Sequence, residues 1–384
     1  MNRGFAHTLP LLSLFCSAAV LVGGCASTGQ STAGTSEHSN QLTITSAPAP
    51  DDRPAHRKLG YRLEWRGSPV IARSARIEDV IVRDDIVIVR DSSNTMSVLE
   101  VGTGANRWAG EVAKPLDIVH GTVIGNDGEL LVSTDVELLV FSSKTGTLEE
   151  RQAYSILGST APVRVGRYLC VGGENGQMLI HNTTSGYRQH AYDFGARFEV
   201  APVRIGEYVG AVARNGRVFM INPHTGSSIG RTRVYAGVTA DLAASDDALF
   251  VASLDQSLWA FELRGAGTRW RIRTEGKLTH APVHHDGVVY AVIPKRGLSA
   301  FDAYSGELLW ENADVFAPPV VKRGDRLIAF DGSNAIAIQA VSGDIMERVA
   351  LPGVDRLLTN TFDEGDLYTV LIGSSEVRKH SPIR

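Results

Sequence analysis

Cysteine is scarce: the 384 residues hold only three, Cys16, Cys25 and Cys170. Two of them lie at the extreme N-terminus, so no disulfide can staple the body of the chain. Cys170 stands alone in the apolar run Tyr168-Leu169-Cys170-Val171, which reads as a buried strand thiol and not as a nucleophile. Basic charge is not in excess either. Lys and Arg number 38 against 42 Asp and Glu, a net charge of −4, which removes the electrostatic grounds for nucleic acid as a partner. No P-loop, dinucleotide-binding glycine pattern, serine-nucleophile elbow or zinc-protease helix is present. Amphipathic stretches of helical period and length are also missing from the body, which disfavours helical repeats.

What is there is a foldable chain, 43% hydrophobic with 21% charged residues, and its 39 glycines indicate many tight turns. An all-β fold is the first expectation. The N-terminus carries Arg3 and an apolar run, Leu9 to Val22; at about 14 residues it has the length of a secretory signal core and is too short to span a bilayer. It ends in Val22-Gly23-Gly24-Cys25, which resembles the bacterial lipobox. Residues 1–24 are therefore expected to be a lipoprotein signal peptide and Cys25 the lipidated first residue, with a cleaved soluble export signal as the alternative. Ala26 follows the cysteine, which by resemblance to lipoprotein sorting rules favours the outer membrane, facing the periplasm. Residues 25–58 are rich in Ser, Thr, Gly, Gln and Pro and read as a disordered tether. Residues 59–384 form the expected folded body.

That body repeats. A Thr-Gly or Ser-Gly turn recurs at Gly104, Gly146, Gly186, Gly226, Gly306 and Gly343, with intervals of 42, 40, 40, 80 and 37 residues. The degenerate Arg264-Gly265-Ala266-Gly267 fills the one gap. A Gly or Asp opens a short β-rich run at Asp85, Gly128, Gly166, Gly206, Asp247, Gly287, Gly324 and Gly365, and Ala-Pro-Val begins at Ala161, Ala201 and Ala281. Within a unit, Tyr208 to Ala213 and Arg217 to Ile221 flank Asn215-Gly216, which signals a type I′ hairpin turn. Four antiparallel strands per unit follow. Such a sheet cannot bury both faces alone, so neighbours must stack, and radial closure gives a β-propeller. The eighth unit ends before its fourth strand, and Tyr61-Arg62-Leu63-Glu64-Trp65-Arg66 has the pattern of that missing strand. The expectation is an eight-bladed propeller whose last blade is closed by the N-terminal strand; seven blades is the rival count.

Phe301-Asp302-Ala303-Tyr304-Ser305-Gly306-Glu307-Leu308-Leu309-Trp310 resembles the tryptophan-docking motif of propellers with PQQ-like, WD40-like repeats. The resemblance implies blade-docking, structural roles for Trp65, Trp108, Trp270 and Trp310. The lipobox, the tether and the eight units are together similar to the BamB family, lipoproteins of outer-membrane β-barrel assembly. That family implies a non-catalytic scaffold that binds envelope proteins, the barrel-assembly machinery among them, through loops on one side of the ring. Asp193 to Phe198 is the corresponding segment, shorter than the family's loop, with Arg197 as a candidate contact.

Other readings concern the ring's centre. Quinoproteins of the same repeat type bind pyrroloquinoline quinone (PQQ) in the channel, but the vicinal disulfide they often carry is excluded here, so no cofactor is expected. A channel that binds a small molecule, glycan or metal is the second functional reading. Arg164, Arg204 and His284 fall at equivalent repeat positions and are candidates for a basic rim that meets a partner. His280, His284 and His285 place two ligands on one strand face with no third apparent, so no metal site is expected. Asp84-Asp85 and Asp246-Asp247 read as turn-forming acids.

Overall fold

The computed structural model describes residues 53–83 and 85–383. The expected signal peptide, the expected lipidation site Cys25, most of the expected tether and Asp84 lie outside these residues. Among the described residues, thirty-two strands form eight separate four-stranded antiparallel sheets. The seven blades with uninterrupted sequence span 77–111, 119–153, 163–193, 203–233, 243–273, 283–312 and 319–350, and the eighth joins 354–382 to 61–67. The architecture is the eight-bladed β-propeller read from the repeat, and it excludes the seven-blade count.

Closure occurs as the pattern implies. The strand Tyr61–Gly67 pairs antiparallel with Val377–Pro382, Tyr61 opposite Pro382 and Gly67 opposite Val377, with a bulge between Leu63 and Trp65. This N-terminal strand is the outermost of blade 8. Tyr61 is fully buried; its hydroxyl donates to the Gly365 carbonyl at 3.1 Å, and Arg323 donates to the carbonyls of Gly60 and Ile383 across the junction. Helix α1, Arg53–Lys58, corrects the expected tether boundary at residue 58. Its composition is polar, but His56 is fully buried and stacks on His380 with ring centroids 3.6 Å apart, a tertiary contact that no local composition reveals.

The core is distributed around the ring as eight apolar seams, one between each pair of neighbouring blades. Phe250, Ala260, Val289 and Phe301 fill that between blades 5 and 6, for example, and Trp65, Val89, Tyr368 and Val370 that between blades 8 and 1. Alternation explains this: strand residues point to opposite sheet faces, and both faces of every blade meet a neighbour. The middle strands accordingly read as continuous buried runs, such as Ile86–Asp91 and Tyr168–Gly172.

The hairpin turn differs from the expected type. Gly216 has φ +80°, but Asn215 does not take a positive φ, as a type I′ turn would require. The loop is instead three residues, Arg214 to Gly216, closed by Gly216 N–H to the Ala213 carbonyl at 2.8 Å and Ala213 N–H to the Arg217 carbonyl at 3.0 Å. Glycine alone supplies the left-handed position.

Candidate functional site

The first strand of each blade is innermost. Those of blades 3 and 4, 4 and 5, 5 and 6, and 7 and 8 touch one another around the axis. Because strands run alternately up and down, every turn between strands one and two and between three and four lies at one end of the ring. The turns between strands two and three, and the connections from blade to blade, lie at the other end, called here the connection face.

The four tryptophans lie within the outermost strands of blades 8, 1, 5 and 6 and dock on the next blade. Their indole Nε1 atoms donate to the carbonyls of Val101, Ser143, Ala303 and Ala340 at 2.7, 2.9, 3.0 and 2.9 Å. Each ring covers the turn glycine of that blade. A Cβ added to Gly104, Gly146, Gly306 or Gly343 would stand 2.5, 2.5, 2.7 or 2.3 Å from the indole, so the motif needs both the aromatic ring and the bare backbone opposite it. Elsewhere His190 lies over Gly226, Gly230 pairs directly with Gly265, and the Gln152 amide donates to the Thr183 carbonyl.

The candidate basic rim forms in register but not as a shared site. Arg164, Arg204 and His284 sit at the centre of the first strands of blades 3, 4 and 6, opposite Leu169, Val209 and Val289. Ala244 holds this place in blade 5, and Lys322 in blade 7. Sequence spacing misses Lys322 because a bulge between Pro319 and Val321 adds a residue to that strand; counting back from the hairpin at Gly324 finds it. Each cation has its own local partner: Arg164 bonds Asn126, Arg204 bonds Glu207 at 2.7 Å, and Lys322 Nζ lies 3.5 Å from Asp363. His284 stacks on Phe250 at 5.3 Å. Burial, and then the neighbouring His285, hold its imidazole below the usual range. His285 turns instead to Asp363 at 3.8 Å, and His280 is exposed, so the three histidines do not converge. Among the described residues no three His, Cys, Asp or Glu groups are placed to hold a metal ion. Cys170 is fully buried, and burial pushes its thiol up to about 12.

Arg197 lies at the opposite end from Arg164 and Arg204, in the connection from blade 3 to blade 4, and pairs with Glu174 at 3.4 Å. Its segment offers little to a partner, because Phe194 and Phe198 are fully buried and pack on each other at 4.6 Å. Asp85 and Asp247 are clamp residues. Arg107 bridges Asp85 and Glu100, and Arg269 bridges Asp247 and Glu262, all at 2.6–2.7 Å. The hydrogen bonds from these guanidinium groups hold all four carboxyls below their ordinary range.

Two features of the connection face escape the sequence. Large aliphatic side chains stand exposed around blades 8, 1 and 2: Val70, Leu116, Ile118, Val136, Leu157 and Ile372, with Leu116 at 96%. All lie in connections or in turns between strands two and three, where polar residues are the norm, and that placement is the signal a sequence reading could have used. Beside them a cavity of about 940 Å³ opens at the channel mouth, lined by Glu78, Asp79, Arg90, His120 and Arg356 among others. Arg356 donates to the carbonyls of Glu78 and Ile77, tying blade 8 to blade 1. His120 bonds the Gly158 carbonyl at 3.1 Å, and burial holds its imidazole below the usual range.

Comparison with known proteins adds the lineage. The profile of the family described as outer membrane protein assembly factor BamB matches residues 62–232 and 214–360. The chain belongs to the BamB family. The crystal structure of BamB from Moraxella catarrhalis is similar in fold, with a TM-score of 0.63 at 18% identity over 82% of this chain and 97% of that one. The computationally designed Ika8 protein matches with a TM-score of 0.64 at 13% identity, over 83% of this chain and 100% of its own. No curated protein sequence matches. The likeness to a designed protein at 13% identity reflects the propeller geometry alone.

Proposed function

We propose that this chain is a non-catalytic docking scaffold of the cell envelope, anchored by lipid at Cys25 to the periplasmic side of the outer membrane, with a role in β-barrel assembly like that of BamB. The observation that carries the reading is the group of exposed aliphatic side chains on the connection face. Exposed apolar side chains gathered in one region of a water-facing surface mark an interaction site, and these residues occupy connections and turns of neighbouring blades at one end of the ring. Two or three acyl chains at Cys25 hold a protein to a membrane durably, as one does not. A tether of about 27 residues, ending at helix α1, gives a root-mean-square reach on the order of 30 Å. The body then meets partners embedded in the membrane or near it.

The test places a photo-crosslinking residue at Leu116, on the connection face, or at the exposed Tyr187, on the opposite end, in the full lipidated chain. Crosslinks to a barrel-assembly component from position 116 and not from 187 support the reading. Equal recovery from both, or from neither, overturns it. Leu116→Asp combined with Ile118→Asp should abolish co-purification without changing the melting temperature. For the anchor, Cys25→Ala should move the chain from the membrane to the soluble fraction; unchanged fractionation refutes lipid attachment there. Reconstitution with PQQ and calcium should give no dye-linked oxidation of alcohols or sugars.

A further inference from the structure

The cavity at the channel mouth holds an arrangement that a docking scaffold does not use. Its volume, about 940 Å³, lies within the roughly 300–1,000 Å³ of natural ligand pockets. Two residues of its wall are cross-strand neighbours in blade 1, Asp79 on the first strand opposite Arg90 on the second. Arg90 is only 8% exposed. Its Nη1 is held by Glu78 Oε2 at 3.3 Å and Asn94 Oδ1 at 3.2 Å, while its Nε is buried with no acceptor. The Glu78 carboxylate meets part of its charge, but an unfilled donor on a buried charged group costs free energy, so this guanidinium keeps hydrogen-bonding capacity that Glu78 and Asn94 do not use. Asp79 is partly buried and makes no hydrogen bond or ion pair with any described residue; it is short of a cation. Ile71, Ile81 and Val123 add aliphatic patches to a wall that also carries Arg76, Arg83 and Arg356.

We propose that this cavity binds a zwitterionic ligand of the amino-acid or short-peptide class. Arg90 takes the carboxylate, Asp79 takes the ammonium, and the aliphatic patches take the side chain. A simple anion is disfavoured because Glu78 and Asp355 share the wall with Asp79, so a multiply charged phosphate meets carboxylates as well as guanidinium groups. An acyl chain is disfavoured because charged side chains are spread around the wall. The site goes beyond the scaffold role and stands or falls separately from it, since it requires no contact with the exposed aliphatic residues.

Thermal-shift and calorimetric titration of the full mature chain test it, with leucine and leucyl-alanine as probes against the N-acetylated dipeptide, the dipeptide amide, succinate and inorganic phosphate. Saturable binding of leucyl-alanine, weakened tenfold or more by blocking either end, supports the proposal. Asp79→Asn should erase the distinction between the free and acetylated amine, and Arg90→Met that between the free and amidated carboxylate. Should Arg90→Met not fold, Asp79→Asn suffices, because its carboxylate has no partner to lose. Absence of binding by leucine and leucyl-alanine at millimolar concentration overturns the proposal. Equal binding of the blocked peptides, or succinate or phosphate binding as tightly as leucyl-alanine, does the same.

Discussion

Blade 2 has two neighbours and meets them by different chemistry. Toward blade 1 it receives Trp108, whose ring covers Gly146 and whose Nε1 reaches Ser143, over an apolar seam that includes Ile88, Met96, Leu130 and Phe141. Toward blade 3 the equivalent of the tryptophan is Glu150, and the apolar seam comprises only Leu131, Leu138, Val140, Leu169 and Val171 as its buried members. Polar groups fill the remaining space. Gln152 Oε1 meets the fully buried His181 at 2.7 Å, Tyr154 packs edge-on to that imidazole at 5.4 Å, and the Tyr154 hydroxyl bonds Ser133 at 2.9 Å. The lesson is that one fold tolerates two kinds of seam. An aromatic seam depends on shape and is indifferent to pH, whereas a hydrogen-bonded seam depends on every partner keeping its protonation state.

Five experiments sharpen or break this comparison. The largest effect belongs to neither seam. Deleting residues 53–67 removes helix α1 and the closing strand, and with them the buried Leu59, Tyr61 and Trp65. A loss on the order of 5–10 kcal/mol is expected, comparable with the whole stability of a domain. Calorimetry should then show no cooperative melting; an intact transition would mean that the ring does not need its latch. Trp108→Ala should cost about 3–5 kcal/mol, and urea unfolding measures it.

The polar seam should respond to acid. Burial lowers the His181 pKa from 6.5 to about 4. The unfolded chain takes up a proton as the pH falls through 6.5, while the folded chain refuses it until about 4. Stability from this group is therefore complete above 6.5 and lost progressively between 6.5 and 4, by up to about 3 kcal/mol. Urea midpoints measured across that range should show the slope in the parent, and His181→Phe should flatten it whatever it does to stability at neutral pH. An unchanged slope would place the acid sensitivity elsewhere.

Smaller differences separate the turn glycines. Gly146 and Gly186 share φ +72°, but an added Cβ meets the Trp108 ring at 2.5 Å in the first and the Glu150 side chain at 3.4 Å in the second. Both alanine variants incur the left-handed backbone cost, and Gly146→Ala should lose about 1–3 kcal/mol more through overpacking. Equal losses would show that the indole gives way. Smallest of all, Glu150→Trp should convert the polar seam to the aromatic kind and stabilise by roughly 0.5–2 kcal/mol, seen as a rise in melting temperature with the acid slope of His181 retained.

Much of this was legible because the repeat makes each residue count several times. Three turn and strand markers with one period imply four strands per unit, and Trp65 near the end of an early strand implies the closing partner for a final unit that stops short. The candidate site was legible only in part. Arg164, Arg204 and His284 share a register position, as their spacing implies, yet Asn126, Glu207 and Phe250 engage them one by one, and these partners belong to hairpin turns or neighbouring blades that spacing along one strand does not report. The left-handed turn glycines were visible in the sequence, but the count of residues in the Asn215-Gly216 loop was not, since the same dipeptide serves two- and three-residue hairpins.

The amino-acid sequence determined the period, the strand count and the closure of the ring, because alternation and turn chemistry are local and repeat with every unit. Only the tertiary structure decided which groups are left without partners. Asp79 and Arg90 lie in adjacent strands that many strand residues resemble, and their cavity exists because blades 8, 1, 2 and 3 surround it. Exposure of Leu116 and burial of His56 were settled in the same way, by which blade stands next to them, and that is a property of the closed ring and not of any segment within it.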